Sequence, residues 1–286
     1  MKRIRIQHAT TYKYSHPVTL SPHRLMLRPR AGHDIHLESS TLTISPKHSV
    51  RWQRDIHGNS VAVVSFAEPA DQLSVVSDVV VEHYEAEPLD FFVDEKAVTY
   101  PFHFDPAERL DLIPYETMCF PEDGLLLREW LEQFWRPGQT IETYVLLDRI
   151  NRDIVGNFTY QRRDEPGVQR PAQTLKQRSG SCRDFATLFI ESCRYFGLAA
   201  RFVSGYLHCP ATIQGHGSTH AWAEVYLPGA GWKGFDSTSG IVVGHDHIAV
   251  AVTRHPADAP PISGSYSGNI SGDPSLWVGV IVSELT

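Results

Sequence analysis

Apolar and polar residues alternate in short runs from Ile4 to about Glu85, as in Ser60-Val-Ala-Val-Val-Ser-Phe66 and Leu73-Ser-Val-Val-Ser-Asp-Val-Val-Val81, with polar turns between them. A period of two is the pattern of a strand that buries one face, so this part of the chain reads as a β-sandwich or small sheet domain. From Glu87 to Gly124 the pattern is broken by Pro88, Pro101, Pro106, Pro114 and Pro121. It reads as an irregular connector wrapped over the surface of the second half of the chain.

After Asp123 the period changes to that of a helix. Leu126, Trp130, Leu131 and Phe134 fall on one face, and from about Thr140 so do Tyr144, Leu147 and Ile150. A third helix starts after Ser181, where Phe185, Leu188, Phe189, Ser192, Cys193 and Phe196 recur at three- and four-residue intervals and Gly197 is placed to end it. Between them, residues 157–161 suit a short strand and 177–181 a polar loop. The division that results is an N-terminal β domain, residues 1–85, and a second domain, residues 86–286, that includes the Pro-rich connector, residues 86–122.

Two further strands close the pattern. In His220-Ala-Trp-Ala-Glu-Val-Tyr-Leu227 alternation sends Ala221, Ala223, Val225 and Leu227 to a core face and His220, Trp222, Glu224 and Tyr226 to the other, which suits the floor of a cleft. After the Pro228-Gly-Ala-Gly231 turn comes Trp232-Lys-Gly-Phe-Asp236. A five-residue loop, 227–231, pairs Tyr226 with Trp232 and makes His220 and Asp236 diagonal neighbours on one face, roughly 7 Å apart between Cα atoms. An even-numbered loop moves Asp236 to the opposite face.

The two cysteines of the third helix have different surroundings. Cys193 belongs to the apolar stripe and is a packing residue. Cys182 lies on the order of 16 Å away along the axis, too far for a bond or a shared metal. It sits in the first turn, where free backbone N–H groups and the helix dipole favour a thiolate. A cysteine nucleophile needs a base, and the base needs an orienting group; His220 and Asp236 supply both types.

Composition narrows the classes of partner. Charged residues make up 21% of the 286, hydrophobic ones 42%, as in globular proteins and unlike disordered ones. A net charge of -7 and the lack of a dense Lys/Arg run leave out nucleic acid as a partner. The four cysteines show no pairing pattern. The N-terminus alternates where a secretory signal needs an unbroken apolar run, and no stretch approaches the roughly 20 apolar residues that span a bilayer. The expectation is a cytoplasmic protein with reduced thiols and no membrane contact.

Metal chemistry is weighed through His216 and His220, four apart, and through His245-Asp-His247. Gly215 and Gly217 argue against a helix at the first pair, and the second binds zinc only if a third ligand converges. No metal is expected. A phosphate-cradling glycine loop with its lysine and a G-x-S-x-G elbow are both missing from the sequence.

The motifs Gly180-Ser-Cys-Arg-Asp-Phe-Ala186, Arg201-Phe-Val-Ser-Gly-Tyr206, His220-Ala-Trp-Ala-Glu-Val225 and Gly231-Trp-Lys-Gly-Phe-Asp236 resemble the transglutaminase-like superfamily, in the bacterial branch whose members carry the label of cysteine proteases. The segments His8-Ala-Thr-Thr-Tyr-Lys-Tyr14 and Pro22-His-Arg-Leu-Met-Leu-Arg-Pro29 look like the N-terminal region of that branch. The resemblance implies an α+β fold, a papain-like or transglutaminase-like core with an N-terminal β-sandwich-type domain. It implies Cys182 as nucleophile, His220 as base and acid, Asp236 as orienting residue, and no cofactor. Where relatives commonly show Pro-Thr-Asn after the aspartate, this chain has Ser237-Thr-Ser239, a departure that bears on loop geometry.

The expected activity is cleavage of a peptide or isopeptide amide through a thioester on Cys182, with a peptide or protein as partner. The alternatives are a transglutaminase-type acyl transferase and a non-catalytic peptide-binding module on the same fold. The backbone N–H of Cys182 supplies half of an oxyanion hole. For the second donor Tyr160 is preferred to Gln177, because Tyr160 ends a short strand.

Overall fold

The structure is a computed structural model that describes residues 1–163, 165–209, 218–269 and 271–285. Its first half is built on one long antiparallel sheet. The 19-residue strand Lys2–Leu20 is flanked by Ala70–His83 on one side, which pairs in turn with Ile35–Ser45, and by Ser275–Glu284 on the other. A second sheet is formed by His23–Leu25, Ser60–Phe66 and His48–Arg54, with Ile262–Ser263 at its edge.

Strand length explains how the halves join. At about 3.3 Å per residue, 19 residues reach roughly 60 Å, farther than one small sheet can cover. At one end the inward residues Tyr14, Val18, Leu20, Leu73 and Val75 pack on Leu25, Ala62 and Val64 of the second sheet. At the other end, on the same face, Ile4, Ile6, Val79, Val81 and Val282 merge into the core of the second half. The C-terminal segment drawn with residues 86–286 therefore adds the strand Ser275–Glu284 to the first sheet.

The connector is less irregular than its prolines suggest. Residues Pro106–Glu116 form a helix. Pro106 occupies its first turn, where a missing N–H costs nothing, and Pro114 falls in its last turn. The next helices are Gly124–Leu131 and Thr143–Asn157, the first ending before Phe134 and the second starting after Thr140. A short helix, Pro171–Gln177, occupies the ground before the expected polar loop.

Helix Cys182–Tyr195 is the centre of the second half. It is buried from Asp184 to Arg194, and Gly197 follows it with a φ of 73°, which a residue with a Cβ rarely adopts. It packs on an antiparallel sheet of order Ile241–Val242, Gly231–Asp236, Ser218–Leu227, Ala200–Leu207, His247–Thr253. Phe189 stacks on Phe235 at 5.4 Å between ring centres, and Ala221, Ala223 and Val225 complete the same core.

The hairpin has the odd-numbered register, with Tyr226 opposite Trp232 and Leu227 opposite Gly231. Its other face is not an open cleft floor, however. Trp222 is 1% exposed and packs with Val203 and Val252, Glu224 is bound to Arg201 at 2.6 Å, and the Tyr226 hydroxyl donates to Glu108 at 2.7 Å. Residues of the first half dock on the edge of this sheet. Asn59 exchanges hydrogen bonds of 2.7 and 2.9 Å with the backbone of Val252, and the Arg30 N–H donates to Ala249. Alternation assigns residues to faces, but it does not say which faces a second domain will cover. Among the described residues no helix is long and apolar enough to cross a membrane.

Candidate active site

The start of the central helix is fixed by a buried carboxylate. Asp184 is fully buried; its Oδ2 accepts from the N–H and the hydroxyl of Ser181, both at 2.8 Å, in a capping box. Its Oδ1 accepts from the Arg163 guanidinium and from the N–H of Gln169, both at 2.7 Å. Gly180 is required beside this carboxylate, because a Cβ there would stand 2.8 Å from the Asp184 Cβ. Cys182 is consequently held as the first residue of the helix, half-buried and free.

Tyr160 reaches the same place by a different route. Thr159–Tyr160 pairs in parallel with Ser179–Gly180, and this two-residue ladder sets the phenol against Cys182. Burial raises the Tyr160 pKa first, and its hydrogen bond and charge interaction with Cys182 add to the rise, while Arg162 and Arg183 oppose it. Gln177 instead ends a helix and lines a surface groove with Asp123, Arg170 and Lys176.

His220 stands between Cys182 and Asp236. Its Nε2 is 2.9 Å from Asp236 Oδ2, so the nitrogen left for the thiol is Nδ1. Burial alone would lower the His220 pKa, but hydrogen bonds and charge interactions with Asp236 and Cys182 prevail and raise it to about 10. Asp236 is 1% exposed, and burial pushes its pKa up; the hydrogen bonds from His220 and His247 outweigh that and hold it well below the usual carboxylate range. The structure thus brings together Cys182, His220, Asp236 and Tyr160.

The turn after the aspartate puts the departure from Pro-Thr-Asn to use. The Thr238 N–H donates to Asp236 Oδ1 at 2.8 Å and the Ser239 hydroxyl to Oδ2 at 2.7 Å. The Ser237 hydroxyl donates to Asn151 Oδ1 at 2.7 Å, which ties the turn to helix Thr143–Asn157. The spacing of Ser239 from Asp236 is that of a local turn contact and was open to sequence reasoning; the Asn151 partner, 86 residues away, was not.

His247 is the other residue that sequence reasoning missed in this role. On its strand it faces Asp236, with Nε2 3.2 Å from Oδ2, while His245 turns to the carbonyl of Glu85 at 3.2 Å. The pair does not converge on a common point, and His216 lies outside the described residues. The donor atoms of His220, Asp236 and His247 do lie within 4.8 Å of one another. Oδ2 already accepts from both imidazoles and from Ser239, so hydrogen bonding accounts for this arrangement.

The remaining cysteines are set apart. Burial raises the pKa of Cys193, which is fully buried among the aromatic rings of the core. Burial also raises those of Cys119, whose Sγ lies 3.0 Å from the Arg194 guanidinium, and of Cys209.

A cysteine at a helix N-terminus packed on an antiparallel sheet that carries a His and an Asp is the architecture of the papain-like and transglutaminase-like folds. The chain belongs to the transglutaminase-like superfamily: residues 4–82 match the bacterial transglutaminase-like N-terminal region and residues 138–237 the transglutaminase-like superfamily core. It is 32% identical to uncharacterized proteins of Mycobacterium bovis and Mycobacterium tuberculosis, over 92% of this chain and 87% of theirs. It is 28% identical to one of Mycobacterium leprae, over 96% of each. Among solved structures, a protein of Cytophaga hutchinsonii described as a "putative cysteine protease" shares the fold with a TM-score of 0.75 at 21% identity, covering 100% of this chain and 91% of that one.

Proposed function

We propose that the protein is a thiol-dependent amidase or peptidase acting through an acyl-enzyme on Cys182. The observation that carries this reading is His220 held between the Cys182 thiol and the Asp236 carboxylate, with its orientation fixed at 2.9 Å on the carboxylate side. Cys182 Sγ attacks the amide carbonyl, and the resulting oxyanion is met by the Cys182 N–H, one of the first-turn donors without an intrahelical partner, and by the Tyr160 hydroxyl. His220 Nδ1 then gives its proton to the leaving amine as the C–N bond breaks. Water, activated by the same nitrogen, hydrolyses the thioester and restores the thiol. An amine in place of water makes the enzyme an acyl transferase through the same intermediate. The label carried by the Cytophaga hutchinsonii protein agrees with the hydrolytic outcome.

Profiling against a peptide and amine library tests the reading, with wild type, Cys182→Ala and His220→Ala compared. Wild type should release a carboxylate product, retain activity in EDTA and lose it to iodoacetamide. Either variant should fall by on the order of 10⁴-fold. A peptide that binds wild type and Cys182→Ala equally without turnover would point to a binding module instead.

A further inference from the structure

The hydrogen bonds around Asp236 leave one buried group that the proposed mechanism does not use. His247 is 3% exposed, and its ring packs edge-on against Trp222 at 5.2 Å and 6.0 Å from the His220 ring. Its Nε2 lies 3.2 Å from the same Asp236 oxygen that His220 holds at 2.9 Å. Its Nδ1 is buried with no hydrogen-bond partner among the described residues.

These facts assign its hydrogen. An ionised carboxylate only accepts, so the imidazole nitrogen facing it carries a proton. His247 therefore aims its Nε2 hydrogen at Asp236 Oδ2.

We propose that His247 is a positioning residue of the Cys182–His220–Asp236 set, a second imidazole donor that divides the Asp236 charge with His220. The inference rests on the catalytic reading above. One oxygen accepting from two imidazoles and the Ser239 hydroxyl has less negative charge left for each. His220 must release its proton to a leaving amine, and a carboxylate shared in this way grips the imidazolium less tightly than an unshared one. The other titratable groups near His247 are His83, which hydrogen-bonds its backbone, and the neighbours His245 and Asp246, with Asp246 itself engaged by Lys2 and His208.

The test reads Cys182 directly and needs no substrate. The full chain and its variants are capped with limiting iodoacetamide, and the ratio of Cys182 labelling rates at pH 6 and pH 9 is taken by peptide mass mapping. His247→Leu and His247→Phe remove the donor, and the ratio should rise severalfold because His220 keeps its proton more firmly beside Cys182. His247→Gln restores an N–H near the Nε2 position and should return the ratio to within about twofold of wild type. An unchanged or lowered ratio in the donor-less variants overturns the inference, since a merely loosened site makes Cys182 behave as an ordinary thiol. Failure of both donor-less variants to fold, with His247→Gln folded, would make the contact structural and overturn it as well. His220→Ala separates the two readings. If it leaves the ratio unchanged, the Cys182–His220 pair itself fails; if it alters the ratio and the His247 variants do not, only the role of His247 fails.

Discussion

Two buried histidines, one where the long first sheet meets the second half and one in the candidate active site, respond to burial in opposite ways. His8 is 2% exposed; its Nδ1 meets the Tyr206 hydroxyl at 2.8 Å and its Nε2 the Thr10 hydroxyl at 3.0 Å. Burial lowers its pKa to about 4. His220 is buried almost as deeply, at 7% exposed, yet hydrogen bonds and charge interactions with Asp236 and Cys182 overcome burial and raise it to about 10. Neutral partners leave desolvation unopposed, and an anionic partner reverses it. The difference separates a histidine that joins two layers through hydroxyls from one held against a carboxylate and a thiol.

The largest effect should come from making the candidate-site histidine resemble the other one. Asp236→Asn keeps the shape of the partner and removes its charge, so the His220 midpoint, followed by NMR of labelled imidazole, should fall well below the wild-type value of about 10. A midpoint that stays near the wild-type value would mean that Asp236 is not what raises it.

The next effect lies in stability. His8 is neutral when folded and titrates near its ordinary value when unfolded, so its contribution is full above about pH 6.5 and is lost as pH falls toward 4, amounting to about 3 kcal/mol. His220 has the opposite sign: its contribution is full below about pH 6.5 and is lost as pH rises through 10. Denaturant midpoints measured from pH 4 to 7 should fall on the acid side in wild type and fall less in His8→Gln. Equal acid slopes in the two proteins would remove His8 from the account.

The smallest effect is expected at the neutral partner. Tyr206→Phe removes the hydroxyl opposite His8 Nδ1 and leaves that nitrogen unpaired in the core, at a cost of about 1–2 kcal/mol. It should leave the His220 midpoint where it was, because no charge near the active site has changed. A shift at His220 would show that the two regions are coupled after all.

Much of this arrangement was determined by the sequence alone, through contacts between residues close along the chain. The capping pattern of Ser181 and Asp184, the apolar stripe from Phe185 to Phe196 and the odd-numbered turn at Pro228–Ala230 place Cys182 at a helix start and His220 on the same side of a hairpin as Asp236. Periodicity, capping and turn length govern such neighbours. Only the tertiary structure decided which faces meet: that His247 turns to Asp236, that Ser237 anchors to Asn151, that the strand Ser275–Glu284 returns to Lys2–Leu20, and that Trp222 is covered. Each of these depends on how separate elements stack. A strand's alternation gives two faces without naming the partner of either, so the second imidazole on Asp236 became visible only once the sheet carrying it had been packed.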